Sequence, residues 1–193
     1  MWRIFRPRDV TSSVSLSGAL LAASLCLTGP GLSETVPLVA PQRLVVEGGP
    51  TAGQQAGILA ARRYATFWQS GDPALARAAL APDFVDRTPP AGRKPGLAGP
   101  LEASRLMHEA IPDLSCVVEQ MIVSSDHIVV HLHFRGHFTG TFPQDAGAPL
   151  TGHGQQISFL ATDIYRIVDG RIAENWHLED NLTLLQQLGV IAP

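Results

Sequence analysis

The sequence predicts one α+β domain in which amino-terminal helices cover one face of a curved antiparallel sheet. Three observations predict it. Apolar residues recur at three- and four-residue spacing between residues 54 and 110. After Pro112 the period changes to two, in runs rich in β-branched and aromatic residues. Between those runs stand the turn pairs Ser125-Asp126 and Asp169-Gly170, and Asp-Gly is a strong hairpin signal. A chain of 193 residues that is 45% hydrophobic and 16% charged can bury one core. The formal net charge of -3 excludes the strongly basic nucleic-acid binders, so no nucleic-acid partner is expected. Two cysteines, Cys26 and Cys116, cannot build a disulfide framework.

Taken in order, residues 1–33 open with Arg3, Arg6 and Arg8. They continue in an apolar run over 14–27 and break at Gly29-Pro30. This pattern predicts a secretory signal peptide cleaved near Ser33, with export to the periplasm or beyond and membrane contact only through that peptide. A lipoprotein signal on Cys26 is the competing reading, disfavoured by Leu25 where a small residue is wanted. Residues 34–53 hold no lasting period and read as a flexible leader, so the domain proper is 54–193. In residues 54–70 the positions Ile58, Ala61, Ala65 and Trp68 mark an amphipathic helix. Gly71-Asp72-Pro73 ends it and starts a second helix over 73–81, with Asp72 as N-cap. Residues 83–87 read as extended, and a Pro/Gly-rich loop leads to a third helix from about Leu101 to Ala110. Strands are predicted over 114–123, 127–139, 156–168 and 171–179. A last helix covers 181–188, with Leu182, Leu185 and Leu188 on one side.

Several short stretches follow one order: Ile111-Pro112-Asp113-Leu114, Arg135-Gly136 with Thr139-Gly140, and the run from Tyr165 through Asp169-Gly170 to Glu174-Asn175-Trp176. Asp180 and Leu184-Leu185-Gln186-Gln187-Leu188-Gly189 close the series. The order resembles the SnoaL-like polyketide (ester) cyclases of the NTF2-like superfamily, over about residues 56–190. The resemblance implies a cone-shaped α+β barrel around a mainly apolar pocket, a homodimer, a small organic ligand, and metal-free aldol chemistry by one general acid/base carboxylate. It also implies a histidine at two positions where this chain has Arg87 and Phe138, and an acidic residue where it has His177.

Alternation places Asp163 on the otherwise apolar face formed by Ile157, Phe159, Ala161, Tyr165 and Ile167. Burial there raises a carboxyl pKa and makes it a proton carrier; the bland alternative is a carboxylate that only accepts structural hydrogen bonds. The hairpin through Asp169-Gly170 brings either His177 or Trp176 opposite Asp163, depending on one residue of register. With His177 there, Asp163 orients its imidazole and the pair suits proton transfer, so Asp163 and His177 are the candidate catalytic residues. Asp86, His108, Phe138, Tyr165, Trp176 and Asp180 are the candidate substrate-binding residues, although Asp180 reads most simply as a helix cap and Trp176 as core. His127, His131, His133 and His137 share the opposite sheet face. A polar outer face or a dimer interface explains them better than a metal, so neither a metal site nor a cofactor is expected. Three functions stay open: an exported cyclase-type enzyme acting on a small carbonyl compound, a non-catalytic ligand-binding module on the same scaffold, and an interaction subunit using the outer face.

Overall fold

The computed structural model describes residues 37–144 and 148–192; the predicted signal peptide lies outside them. Four helices and eight strands are described, in the order β1 Arg43–Val46, α1 Ala52–Ser70, α2 Pro73–Ala79, β2 Leu80–Asp86, α3 Ala98–Ala110, β3 Ser115–Ser124, β4 His127–Phe138, β5 Thr141–Phe142, β6 Leu150–Thr151, β7 Gln155–Val168, β8 Arg171–Glu179 and α4 Asn181–Leu188. Six strands form one sheet in the order β1-β3-β4-β7-β8-β2, and β5 and β6 make a separate small pair. The inner pairings are antiparallel, while the two edges, β1 on β3 and β2 on β8, are parallel.

Local chemistry sets the helix ends. Thr51 Oγ1 accepts from the Gln54 amide at 3.3 Å and Gln54 Oε1 accepts from the Thr51 amide at 2.9 Å. This capping box starts α1 at Ala52, two residues before the start expected from the sequence. Gly71, at φ +71°, closes α1, and Asp72 caps α2 by accepting from the Ala74 amide at 2.8 Å. The second helix ends two residues earlier than its alanine run suggested, because Leu80 already belongs to β2. The third begins earlier, at Ala98, since Pro100 is tolerated in a first turn whose amides need no partner.

Part of the predicted leader is structured. Residues 43–46 form an edge strand too short and too exposed to carry a period. The Arg62 guanidinium ties the segment before it to α1, donating to the Leu38 and Val39 carbonyls at 3.0 Å. In α4 the buried residues are Leu184 and Leu188, one turn apart, whereas Leu182 is 63% exposed; of the leucine triplet read from spacing Leu188 is buried, and Leu184 takes the place of Leu182.

The alternation in β7 places Ile157, Phe159, Ala161, Asp163 and Tyr165 inward, all buried. Facing positions of β4 meet them: Phe134 lies opposite Phe159 with rings stacked 5.1 Å apart, and Val130 lies opposite Asp163. Helix α1 packs over this inner face, where Trp68 meets Phe134 edge-on at 6.4 Å and Tyr64 meets Tyr165 at 5.9 Å. The core sits between these two layers and leaves an opening at the end where β2, β8 and α3 converge.

Candidate functional site

The register of β7 and β8 decides which side chains reach that opening. Val168 pairs with Arg171 and Ile167 with Ile172, so the connection is the two-residue turn Asp169-Gly170, both at positive φ. Continued without interruption, that register would set Trp176 opposite Asp163. Pairing instead resumes at Arg166 with Glu174, and Ala173 is left out as a β-bulge. The extra residue shifts β8 by one position. Asp163 faces His177, and Trp176 faces Ile164 on the outer side, where it stacks with His127 at 6.4 Å. Both alternatives of the sequence reading are thus settled by a bulge rather than by loop length.

The opening is a cavity of about 120 Å³. Trp68, Phe134, Phe159 and Leu184 supply apolar wall, and Arg93 comes in from the loop before α3. Asp86, Asp163, Asn175, His177 and Glu179 form the polar side. Asp163 is 5% exposed. Its Oδ2 accepts from the Tyr165 hydroxyl at 2.8 Å and, more weakly, from Asn175 Nδ2 at 3.4 Å. Burial pushes its pKa up to about 6, because desolvation outweighs the Tyr165 hydrogen bond and the nearby charge of His177. This carboxyl can therefore take and return a proton near neutrality.

His177 is held from both sides. Nδ1 donates to Glu179 Oε1 at 2.6 Å, and Nε2 donates to Asp86 at 2.9 and 3.0 Å. Burial alone would lower its pKa, but the hydrogen bond and charge of Glu179, followed by those of Asp86, raise it to about 9. The ring is an imidazolium at neutral pH, and Glu179 in turn is held below the usual carboxylate range, the His177 contact outweighing its own burial. Backbone geometry builds this clamp. Asp86 pairs in register with Asn175, Thr88 Oγ1 accepts from the His177 amide at 2.8 Å, and Glu179 lies two residues beyond His177 on the same strand face. The expectation that Asp163 orients the imidazole is corrected: it shares the cavity with His177, but Asp86 and Glu179 make the contacts.

Other predicted residues lie elsewhere. Tyr165 is 1% exposed and acts through its bond to Asp163, not as cavity wall. Phe138 is wholly buried core beneath Gly152, and His108 packs its ring against Gly71 at the end of α1. Trp176 faces outward, and Asp180 caps α4 by accepting from the Thr183 amide at 3.1 Å. None of these five lines the cavity. Spacing on a helix could not tell which way His108 turns, and the register shift removed Trp176. The residues sequence reasoning missed are Glu179, Asn175 and Arg93. Asn175 and Glu179 both alternate with His177 and so were legible once that residue was set inward, and Arg93 sits in a loop without a period.

On the outer face, His131 Nδ1 bonds Thr162 Oγ1 at 2.8 Å, while His133 bonds Glu119 at 3.0 Å and Ser158 at 2.8 Å. Among the described residues no group of three or more His, Cys, Asp or Glu side chains is arranged to hold a metal ion. Cys116 is buried, and burial pushes its thiol pKa up, which keeps it unreactive.

The model of the SnoaL-like polyketide cyclase family matches residues 58–188, which span all of these groups. The chain belongs to this family. It is similar to the solved structure of a candidate polyketide cyclase of Bacillus cereus, at 32% identity over 80% of this chain and 95% of that one, with a TM-score of 0.70. TsrD of Streptomyces laurentii is 27% identical over 74% and 99% of the two chains, with a TM-score of 0.61. An epoxide hydrolase of the LEH-like type from Mycobacterium tuberculosis, at 15% identity over 70% and 91%, shares the fold with a TM-score of 0.51. No curated protein matches the chain. This SnoaL-like chain thus has the NTF2-like fold implied by its sequence, with an imidazolium clamp at the cavity.

Proposed function

We propose that this SnoaL-like protein performs general acid/base chemistry on a small carbonyl compound, with Asp163 as the proton carrier. The observation that carries the reading is one carboxyl, buried beside apolar wall, with a pKa of about 6 and, among the described residues, partners on Oδ2 alone, Tyr165 and Asn175. Oδ1 takes the proton as the C–H bond beside the ligand carbonyl breaks, and the carbonyl oxygen becomes an enolate. The imidazolium of His177 and the guanidinium of Arg93 stabilise that charge through space, because both ring N–H groups of His177 are already donated to carboxylates. Returning the proton elsewhere gives isomerisation; attack of the enolate carbon on a second carbonyl, with the proton passing to its oxygen, gives an aldol ring closure. His177 is an electrostatic partner in this scheme rather than a proton shuttle.

One observation favours a second reading, a non-catalytic ligand-binding module: neither nitrogen of His177 is free to move a proton to a ligand. The two readings separate in deuterated buffer. The enzyme reading predicts protein-dependent exchange of the methyl protons of acetophenone, slowed ~10²–10⁴-fold in Asp163→Asn. Exchange no faster than in buffer alone leaves the binding module.

We also propose export, on the basic and apolar pattern of residues 1–33. A homodimer through the outer sheet face is supported by Ile122, Leu160, Ile164 and Leu178, exposed by 39, 39, 41 and 77%.

A further inference from the structure

We infer that Asn175 reads an O–H donor on the ligand, so that the molecule taken by this cavity is a single-ring carbonyl compound with a hydroxyl beside that carbonyl. The inference rests on the acid/base reading above and names its substrate class. Asn175 is 4% exposed and lines the cavity. Its Nδ2 is turned to Asp163 Oδ2 at 3.4 Å, and because a carboxylate only accepts, this contact fixes which way the amide faces. Its Oδ1 is buried and, among the described residues, accepts from no donor. Buried amide oxygens are nearly always paired, since burial removes the water that would otherwise satisfy them. The His177 and Tyr165 donors are committed elsewhere: both N–H groups of His177 go to Glu179 and Asp86, and the Tyr165 hydroxyl goes to Asp163. A donor for Asn175 therefore comes from inside the cavity.

Position and size define the rest of the ligand. Asn175 Nδ2 contacts Asp163 Oδ2, so a group bonded to Asn175 Oδ1 belongs to the same end of the ligand as the carbon that Asp163 deprotonates, beside the carbonyl. The volume, about 120 Å³, is close to that of an apolar protein cavity that holds benzene (about 150 Å³), so a body of one ring fills it.

The test is calorimetric titration of the wild-type protein with α-hydroxyacetophenone, and with α-fluoroacetophenone as a partner of matched size that cannot donate. The hydroxyl compound is expected to bind at least ~10-fold more tightly, the effect of leaving a buried acceptor unpaired. In Asn175→Leu that preference shrinks to within ~3-fold. The wild-type comparison stands without the variant, should the latter fold poorly. Equal binding of the two compounds overturns this inference alone and leaves the acid/base reading in place. Binding of neither overturns both.

Discussion

Removing the charge of Glu179 should collapse the unusual acidity of His177. In the structure the imidazolium is stabilised enough to move its pKa from the ordinary 6.5 to about 9 against the effect of burial. At 1.36 kcal/mol per pKa unit, that is about 3 kcal/mol of preference for the charged ring, of which Glu179 supplies the largest favourable part and Asp86 the next. Glu179→Gln keeps an oxygen acceptor at the same place but loses the charge. The midpoint of His177, followed through its ring resonances by NMR, should fall by at least ~1 unit, because desolvation then acts with less opposition. The sign carries into stability. His177 gains a pKa on folding, so its contribution is whole below pH 6.5 and is lost as pH rises through 9. Glu179 is lowered on folding, so its share is present above 4.5 and is lost as pH falls through the folded value. The urea midpoint of the wild type should therefore drop between pH 7 and 9.5, and drop less in Glu179→Gln. A wild-type His177 that titrates near 6.5, or one unchanged by Glu179→Gln, would refute the clamp.

Three other outcomes follow from the packing. Asp163 is raised from 3.8 to about 6 by burial, so its contribution to stability is whole below 3.8 and falls as pH rises through 6. Asp163→Asn should thus be more stable than wild type at pH 7.5, by up to about 3 kcal/mol in urea unfolding, with no such gain at pH 4. Gly71 sits at φ +71°, and a Cβ there would come within 2.7 Å of His108 Cδ2. Gly71→Ala should lower the thermal midpoint and cost about 1 kcal/mol or more. Phe138 is wholly buried and does not line the cavity, so Phe138→Ala should lose about 3–5 kcal/mol of stability while ligand affinity in the folded fraction stays unchanged. An affinity loss in the folded fraction would return Phe138 to the binding surface.

The fold was legible because its signals are local and redundant. The period-two run of β7, the Asp169-Gly170 turn and the Asp72-Pro73 helix start each have one physical reading, and the structure bears them out. So was the burial of Asp163, which needs only alternation along one strand. The rest of the site depends on contacts between distant segments. Ala173 carries no mark of a bulge, yet it alone decides that His177 and not Trp176 faces inward. Asp86 reaches His177 across 91 residues of chain through a parallel edge pairing, which no short-range pattern encodes. His108 and Phe138 lay on faces that were apolar enough for a pocket, but they pack closely against Gly71 and Gly152 instead.

The central claim is that Asp163 moves the proton, and the pH profile of solvent exchange tests it most directly. The rate of deuterium uptake by acetophenone with wild-type protein should rise with pH through a midpoint near 6, where the buried carboxyl ionises, and that step should vanish in Asp163→Asn. A protein-dependent rate that shows the same profile in Asp163→Asn would contradict the account.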